Sequence, residues 1–220
     1  MAKHKLQRFA ENETFGNLFQ HSDYDRVGEE FPLKGSWRKD YFHNENPVIL
    51  ELGCGKGEYT IAMAKRFPGR NYIGIDRKGA RLWRGCKDAI EQNLENVAFL
   101  RIAIDNIPYY FGTNEVDEIW VTFPDPQPKK ERKRLVSPKF IDTYRKILKS
   151  GSGVVHLKTD SDLLYEYLLE TAVAEKWDIL ENIENVYGGQ ADSLLTEVQT
   201  FYERKWLEEG KTIHYVRVRV

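Results

Sequence analysis

Five short apolar runs, NPVILEL, RNYIGID, VAFLRIA, DEIWVTF and GVVHLKT, lie between residues 46 and 159. Each is nearly continuous rather than alternating, the mark of a strand buried on both faces of a parallel sheet. Helices are expected near 57–67, 77–93 and 138–149. SDLLYEYLLETAVAEK then repeats Leu164, Leu168 and Ala172 at helical spacing. WDILENIENV and KTIHYVRVRV read as two last strands, separated by a helix near 194–209. In that helix Leu194, Val198, Tyr202 and Trp206 form a stripe expected to face the core. Strand–helix alternation predicts an α/β fold, a mostly parallel seven-stranded sheet with helices on both faces and a late antiparallel strand.

Residues 1–45 are polar, dotted with aromatics and weakly periodic. They read as a flexible or irregular extension, with Trp37, Tyr41 and Phe42 docking onto a single domain over 46–220. A chain of 220 residues with net charge −1 excludes a globally basic nucleic-acid coat, but not a local basic patch. Cys54 and Cys86 are too few for a disulfide framework. Histidines 4, 21, 43, 156 and 214 are scattered without metal-ligand spacing, so no metal site is expected. No run is long or apolar enough to span a bilayer, and the N-terminus has no apolar signal core. A cytoplasmic protein without a membrane partner is expected.

After the first strand comes ELGCGKGEYT, with Gly53, Gly55 and Gly57. Glycines let a backbone turn sharply and approach a ligand closely. A dinucleotide site spaces its third glycine later and meets pyrophosphate at a helix N-terminus. Here Glu51 precedes the first glycine, and a carboxylate repels pyrophosphate. It attracts the cationic amino group of S-adenosylmethionine. Asp76 ends the second strand, where an acid binds ribose hydroxyls, and Asp105 follows the third, near where such folds meet adenine. Ordinary alternatives stand beside each reading. Glu51 could be a solvated strand end, Asp76 a helix cap and Asp105 a turn residue.

Strand DEIWVTF runs into FPDPQPKKERKRLV, residues 123–136. Pro124 and Pro126 flank Asp125, Pro128 comes after Gln127, and Lys129, Lys130, Arg132, Lys133 and Arg134 follow. Proline fixes φ, so the turn holds one carboxylate in one place. The cations suit phosphate contacts, against the plain alternative of a solvated charged face. Lys3, His4, Lys5 and Arg8 are further candidates.

With ELGCGKGEYT, YIGID, FPDPQPKKERKRLV, HLKTDSDLLYEYLL and TFYERKWLEEGKTIHYVRV, the chain resembles the bacterial tRNA (guanine-N7-)-methyltransferases. The resemblance implies a Rossmann-like class I fold and methyl transfer from S-adenosylmethionine to N7 of guanine-46 in the tRNA variable loop. It implies Glu51, Gly53, Asp76, Asp105 and Asp125 at the cofactor, with Asp125 the catalytic acid. Lys129, Asp160, Thr200 and Glu203 resemble substrate-binding residues. The family commonly has Trp at Gln127, Arg-His at Glu131-Arg132, Glu at Asp76 and Ala at Asn106. The resemblance implies no obligate protein partner, and a monomer or homodimer. A methyltransferase on another RNA, or a non-catalytic tRNA-binding subunit of the same fold, are the alternatives.

Overall fold

The computed structural model describes residues 2–20 and 30–220. It divides into two compact units, Met1–Gly112 and Thr113–Val220.

In the first unit the expected strands appear as β2 (Val48–Leu52), β3 (Asn71–Ile75) and β4 (Val97–Arg101), joined through α2 (Glu58–Arg66) and α3 (Gly79–Glu91). Every residue of β2 and β3 is buried, as their continuous apolar runs require. A further strand, β1 (Leu18–Gln20), pairs in parallel with β4, giving the order β1-β4-β3-β2. The N-terminal segment, expected to be flexible and then loosely helical or irregular, holds a helix, α1 (Ala2–Asn12), and the unexpected strand β1. Three residues are too few to show a period, so β1 rests on tertiary contacts. Phe99 N donates to Asn17 O, and the Asn17 amide donates to Cys86 O. The aromatics dock as expected. Trp37 is fully buried, stacks on Phe111 with centroids 5.6 Å apart and donates from Nε1 to Tyr110 O. The Tyr41 hydroxyl donates to Val97 O.

The second unit contains β5 (Glu118–Thr122), α4 (Pro138–Arg145), β6 (Val154–Thr159), α5 (Asp162–Ala174), β7 (Asp178–Ile183), α6 (Ser193–Glu197), α7 (Phe201–Glu208) and β8 (His214–Arg219). The order is β5-β6-β8-β7; β5 and β6 are parallel, and β8 runs against both its neighbours. Leu164, Leu168 and Ala172 of α5 are fully buried, as their spacing predicts. Among the described residues there are eight strands, one more than expected, in the mostly parallel class anticipated.

The helix expected near 194–209 is two helices. Val198 and Thr200 have extended backbones, and the Thr200 hydroxyl accepts from Glu203 N to start α7. Residues before and after the break no longer share one face. Tyr202 is 48% exposed, Trp206 is half-buried, and Glu203 is the buried residue of α7. Of the Leu194–Trp206 stripe Val198 is buried as expected, whereas Leu194, Tyr202 and Trp206 are not, so the four do not form one core face. The signal for the break is the sequence TFYE, a Thr followed three residues later by Glu, which marks a helix start.

Candidate active-site elements

In the first unit the glycine-rich turn folds back on β3, with Gly53 N and Cys54 N both donating to Ile75 O. Gly53, Gly55 and Gly57 have φ of 76°, 60° and 73°, the left-handed region that glycine enters without penalty. Their surroundings differ. A Cβ at Gly53 or Gly55 would meet no heavy atom within 4 Å. A Cβ at Gly57 would lie 2.6 Å from the Phe99 ring. Gly74 and Gly85 are equally closed, since a Cβ on either would come within 2.8 Å of the same ring. Gly57 serves close packing, whereas Gly53 and Gly55 leave open space into which a ligand fits.

Glu51 is only 5% exposed. Its Oε2 accepts from Thr60 N at 2.8 Å and from the Thr60 hydroxyl, at the start of α2. A helix N-terminus favours a carboxylate. Glu51 is therefore a held acid, not a solvated strand end. Asp76 bridges two elements: Oδ2 accepts from Gly55 N at 3.0 Å and Oδ1 from Lys78 N at 2.7 Å. It both shapes the glycine turn and caps the approach to α3. Asp105 is exposed, in the first turn of the 3-10 segment Ile104–Tyr109. Because Leu52 pairs with Ile75, and Ile75 with Leu100, Glu51 near the end of β2, Asp76 just after β3 and Asp105 beyond β4 belong to the same ends of three neighbouring strands. Carboxylates at those ends beside an open glycine turn fit a ligand with a cationic amino group and ribose hydroxyls. Burial, aided by Glu51 and Asp76, holds the Cys54 thiol well above its usual range, so it packs as a neutral group.

In the second unit, β5 ends where Phe123 N donates to Lys158 O at 2.8 Å. Phe123 and Gln127 take φ of 47° and 46°, unusual for side-chain-bearing residues. Between them Asp125 is exposed, and its Oδ1 accepts from Gln127 N at 3.1 Å. The carboxylate thus shapes its own turn and keeps Oδ2 for other partners. Lys129, Lys130, Arg132 and Lys133 are exposed. Arg134 is not part of that basic face. Its side chain is buried, donates to Pro126 O at 3.3 Å and lies 4.3 Å over the Tyr167 ring. It braces the turn from within, and a phosphate role for it is excluded by burial.

Asp160 pairs with Lys211 at 2.7 Å, while Ser161 rather than Asp160 caps α5. Thr200 caps α7. Glu203 has no solvent exposure; its Oε1 lies 2.6 Å from Lys158 Nζ and accepts from the Tyr187 hydroxyl at 2.8 Å. Its Oε2 is buried without a partner. Lys158, also unexposed, donates further to Leu195 O and Val198 O. Burial lowers the Lys158 pKa and the Glu203 carboxylate opposes that shift. Lys158 is the residue that the sequence reading missed. The signal was a cation inside the buried run VVHLKT, where an unpaired ammonium is not tolerated.

Among the described residues no group of three or more His, Cys, Asp or Glu is placed to hold a metal, and no helix is long and apolar enough to cross a membrane. His21 lies outside the described residues, as do the side chains of Lys3, His4 and Lys5. Arg8 lies 4.7 Å over the Trp83 ring.

Solved methyltransferases share this fold. A 16S rRNA methyltransferase, KamB, superposes with a TM-score of 0.65 at 15% identity, covering 88% of this chain and 95% of its own. An antibiotic-related methyltransferase does so at 0.60 and 20% identity, covering 82% and 90%. Residues 45–216 match the family described as putative methyltransferase. A tRNA (guanine-N(7)-)-methyltransferase of Christiangramia forsetii is 47% identical over 222 residues, covering 100% of this chain and 99% of the relative. One of Porphyromonas gingivalis is 46% identical over 207 residues, covering 93% and 84%. Likeness along the full length, on a methyltransferase fold with the acids at the strand edge, settles the family: the chain belongs to the tRNA (guanine-N(7)-)-methyltransferases.

Proposed function

We propose that this protein methylates N7 of a guanine in tRNA, at position 46 of the variable loop, with S-adenosylmethionine as donor. The full-length likeness to tRNA (guanine-N(7)-)-methyltransferases carries this reading. The donor supplies an electrophilic methyl group on a sulfonium. Glu51 and Asp76 hold it, through its amino group and ribose hydroxyls, with Gly53 leaving room for close approach and Asp105 meeting the adenine.

Guanine N7 bears a lone pair in the neutral base, so no general base is required. Catalysis rests on alignment and on stabilising the positive charge that grows on the purine. Asp125 is proposed to supply both, accepting from guanine N1–H and the exocyclic amine while lying against the donor. Its turn has few alternative conformations, which suits a fixed carboxylate. Lys129 contacts the RNA near the target, with Asp160, Thr200 and Glu203 completing the substrate side. Unpaired or splayed RNA is the expected target, because the base edge must be reached. The protein is proposed to work in the cytoplasm, without a metal or an obligate protein partner.

The test is incubation with methyl-labelled S-adenosylmethionine and unmodified bulk tRNA, followed by nucleoside analysis and mapping. Label in 7-methylguanosine at position 46 is the expected result. Label in another nucleoside overturns the substrate assignment. Binding of tRNA without label overturns the enzyme reading.

A further inference from the structure

The Glu203 carboxylate is asymmetric. Oε1 is occupied by the Lys158 ammonium and the Tyr187 hydroxyl, while Oε2 is buried with no partner. A buried carboxylate oxygen without a donor is unfavourable unless something else supplies one. Its surroundings are otherwise built with care. Gln199 Nε2 donates to the Tyr187 hydroxyl at 2.9 Å, and Thr200 Oγ1 accepts from Glu203 N. The same Lys158 ammonium reaches Leu195 O at 2.6 Å and Val198 O at 3.3 Å, on the α6 side of the break. Its backbone carbonyl holds Phe123 N, two residues before Asp125. One residue of β6 therefore ties both the proline-rich turn and the α6–α7 break.

We propose that Lys158 is a positioning residue for tRNA. Its ammonium pins Glu203 through Oε1, so that Oε2 is presented to an N–H donor on the edge of the target guanine. The proposal rests on the reading of Glu203 as a substrate contact. It adds that a residue touching neither RNA nor methyl donor determines whether that contact is made. With N1–H and one exocyclic amine hydrogen assigned to Asp125, the second hydrogen of that amine is the donor left for Glu203; an adenine has no amine at the corresponding carbon and an unprotonated acceptor at N1. Admission of the base to a carboxylate with no solvent exposure requires the α6–α7 break to open, and Lys158 grips that break on both sides.

The experiment compares Lys158→Met, Glu203→Gln and the double variant Lys158→Met/Glu203→Gln in steady-state methylation of tRNA, with S-adenosylmethionine affinity measured separately. Each single variant is expected to raise KM for tRNA about tenfold, the size of one charge-assisted hydrogen bond. The expected change in kcat is much smaller, and donor affinity is expected to hold. The double variant should match Glu203→Gln alone, because both substitutions remove the same contact. Lys158→Arg, which keeps a cation, should recover part of the loss. If Glu203→Gln raises KM while Lys158→Met does not, Lys158 is no positioning residue, although Glu203 still binds substrate. A double variant markedly worse than Glu203→Gln shows Lys158 acting independently and also overturns the proposal. If Glu203→Gln leaves KM unchanged, the Glu203 reading itself fails, and the proposal with it. Should Lys158→Met fail to fold, Lys158→Gln, which keeps an N–H donor without the charge, takes its place, and an unchanged KM there overturns the proposal.

Discussion

Lys158 of β6 and Glu203 of α7 form an ion pair at 2.6 Å with neither residue exposed to solvent. Exposed pairs elsewhere, such as Lys205–Glu209 at 3.6 Å, contribute about 0–1 kcal/mol. A buried pair differs in kind, since loss of one partner strands the other charge in the interior. Glu203→Ala should therefore lower unfolding free energy by about 3–5 kcal/mol. Lys158→Met/Glu203→Leu should restore most of it, because a matched apolar pair is close to neutral. Denaturant unfolding of the single and double variants checks this.

Asp125→Asn retains a carbonyl oxygen for Gln127 N, so the turn should persist. What it removes is the negative charge. Turnover should fall by about 10²–10³-fold, the scale of one lost transition-state stabiliser. Affinity for S-adenosylmethionine should change far less. Single-turnover kinetics and equilibrium binding, run side by side, separate the two quantities.

The basic run should split by burial. Arg134→Ala removes the brace on Pro126 O and the contact with Tyr167. It should cost about 2–3 kcal/mol of stability, as expected for a buried hydrogen-bonded group, with little change in the salt dependence of tRNA binding. Lys129→Ala and Lys130→Ala, both at exposed positions, should leave the melting temperature in place. Each that contacts a phosphate should reduce the log–log salt slope by about 0.7–0.9.

The glycines of the turn should separate stability from affinity. Gly57→Ala places a methyl 2.6 Å from Phe99 at a φ of 73°. Overpacking together with left-handed strain should cost about 2–4 kcal/mol. Gly55→Ala enters open space and meets only the strain, about 1–2 kcal/mol. Its methyl occupies room proposed for the donor, so donor affinity should fall more than stability does. Calorimetry and donor titration on both variants test the contrast.

His156 sets a pH dependence. It stacks on Trp120 at 3.9 Å, meets the Tyr215 hydroxyl at 2.8 Å and has Nε2 3.4 Å from Glu118. Burial lowers its pKa despite the opposing Glu118 carboxylate. A histidine with a depressed folded pKa binds more protons when unfolded, so stability falls as pH drops below the ordinary value near 6.5. His156→Phe should lose less stability than the parent between pH 7.5 and pH 5.5, roughly the window below the ordinary histidine pKa. Melting curves at the two pH values decide it.

Much of this architecture was legible in one dimension. Strands β2 to β6 show as continuous apolar runs, because burial on both faces leaves no room for polar alternation. The glycine turn, its acids and the proline-flanked Asp125 show as residue types whose backbone and charge properties are local. β1 did not show, because three residues carry no period. Nor did the α6–α7 break, because the i+4 stripe through Tyr202 outweighed the TFYE helix-start signal.

The sequence alone determined the order of elements, the class of sheet and the chemistry available at its edge. Tertiary structure decided which charges lie inside. Arg134 and Arg132 are neighbours in one basic run, yet one braces a turn in the interior and the other faces water. Glu203 looks like a surface residue by helical phase and is fully buried. The physical reason is that side-chain period and backbone preference are properties of adjacent residues. Desolvation of a charge is tolerated only where a distant segment supplies its partner, as Lys158 does for Glu203.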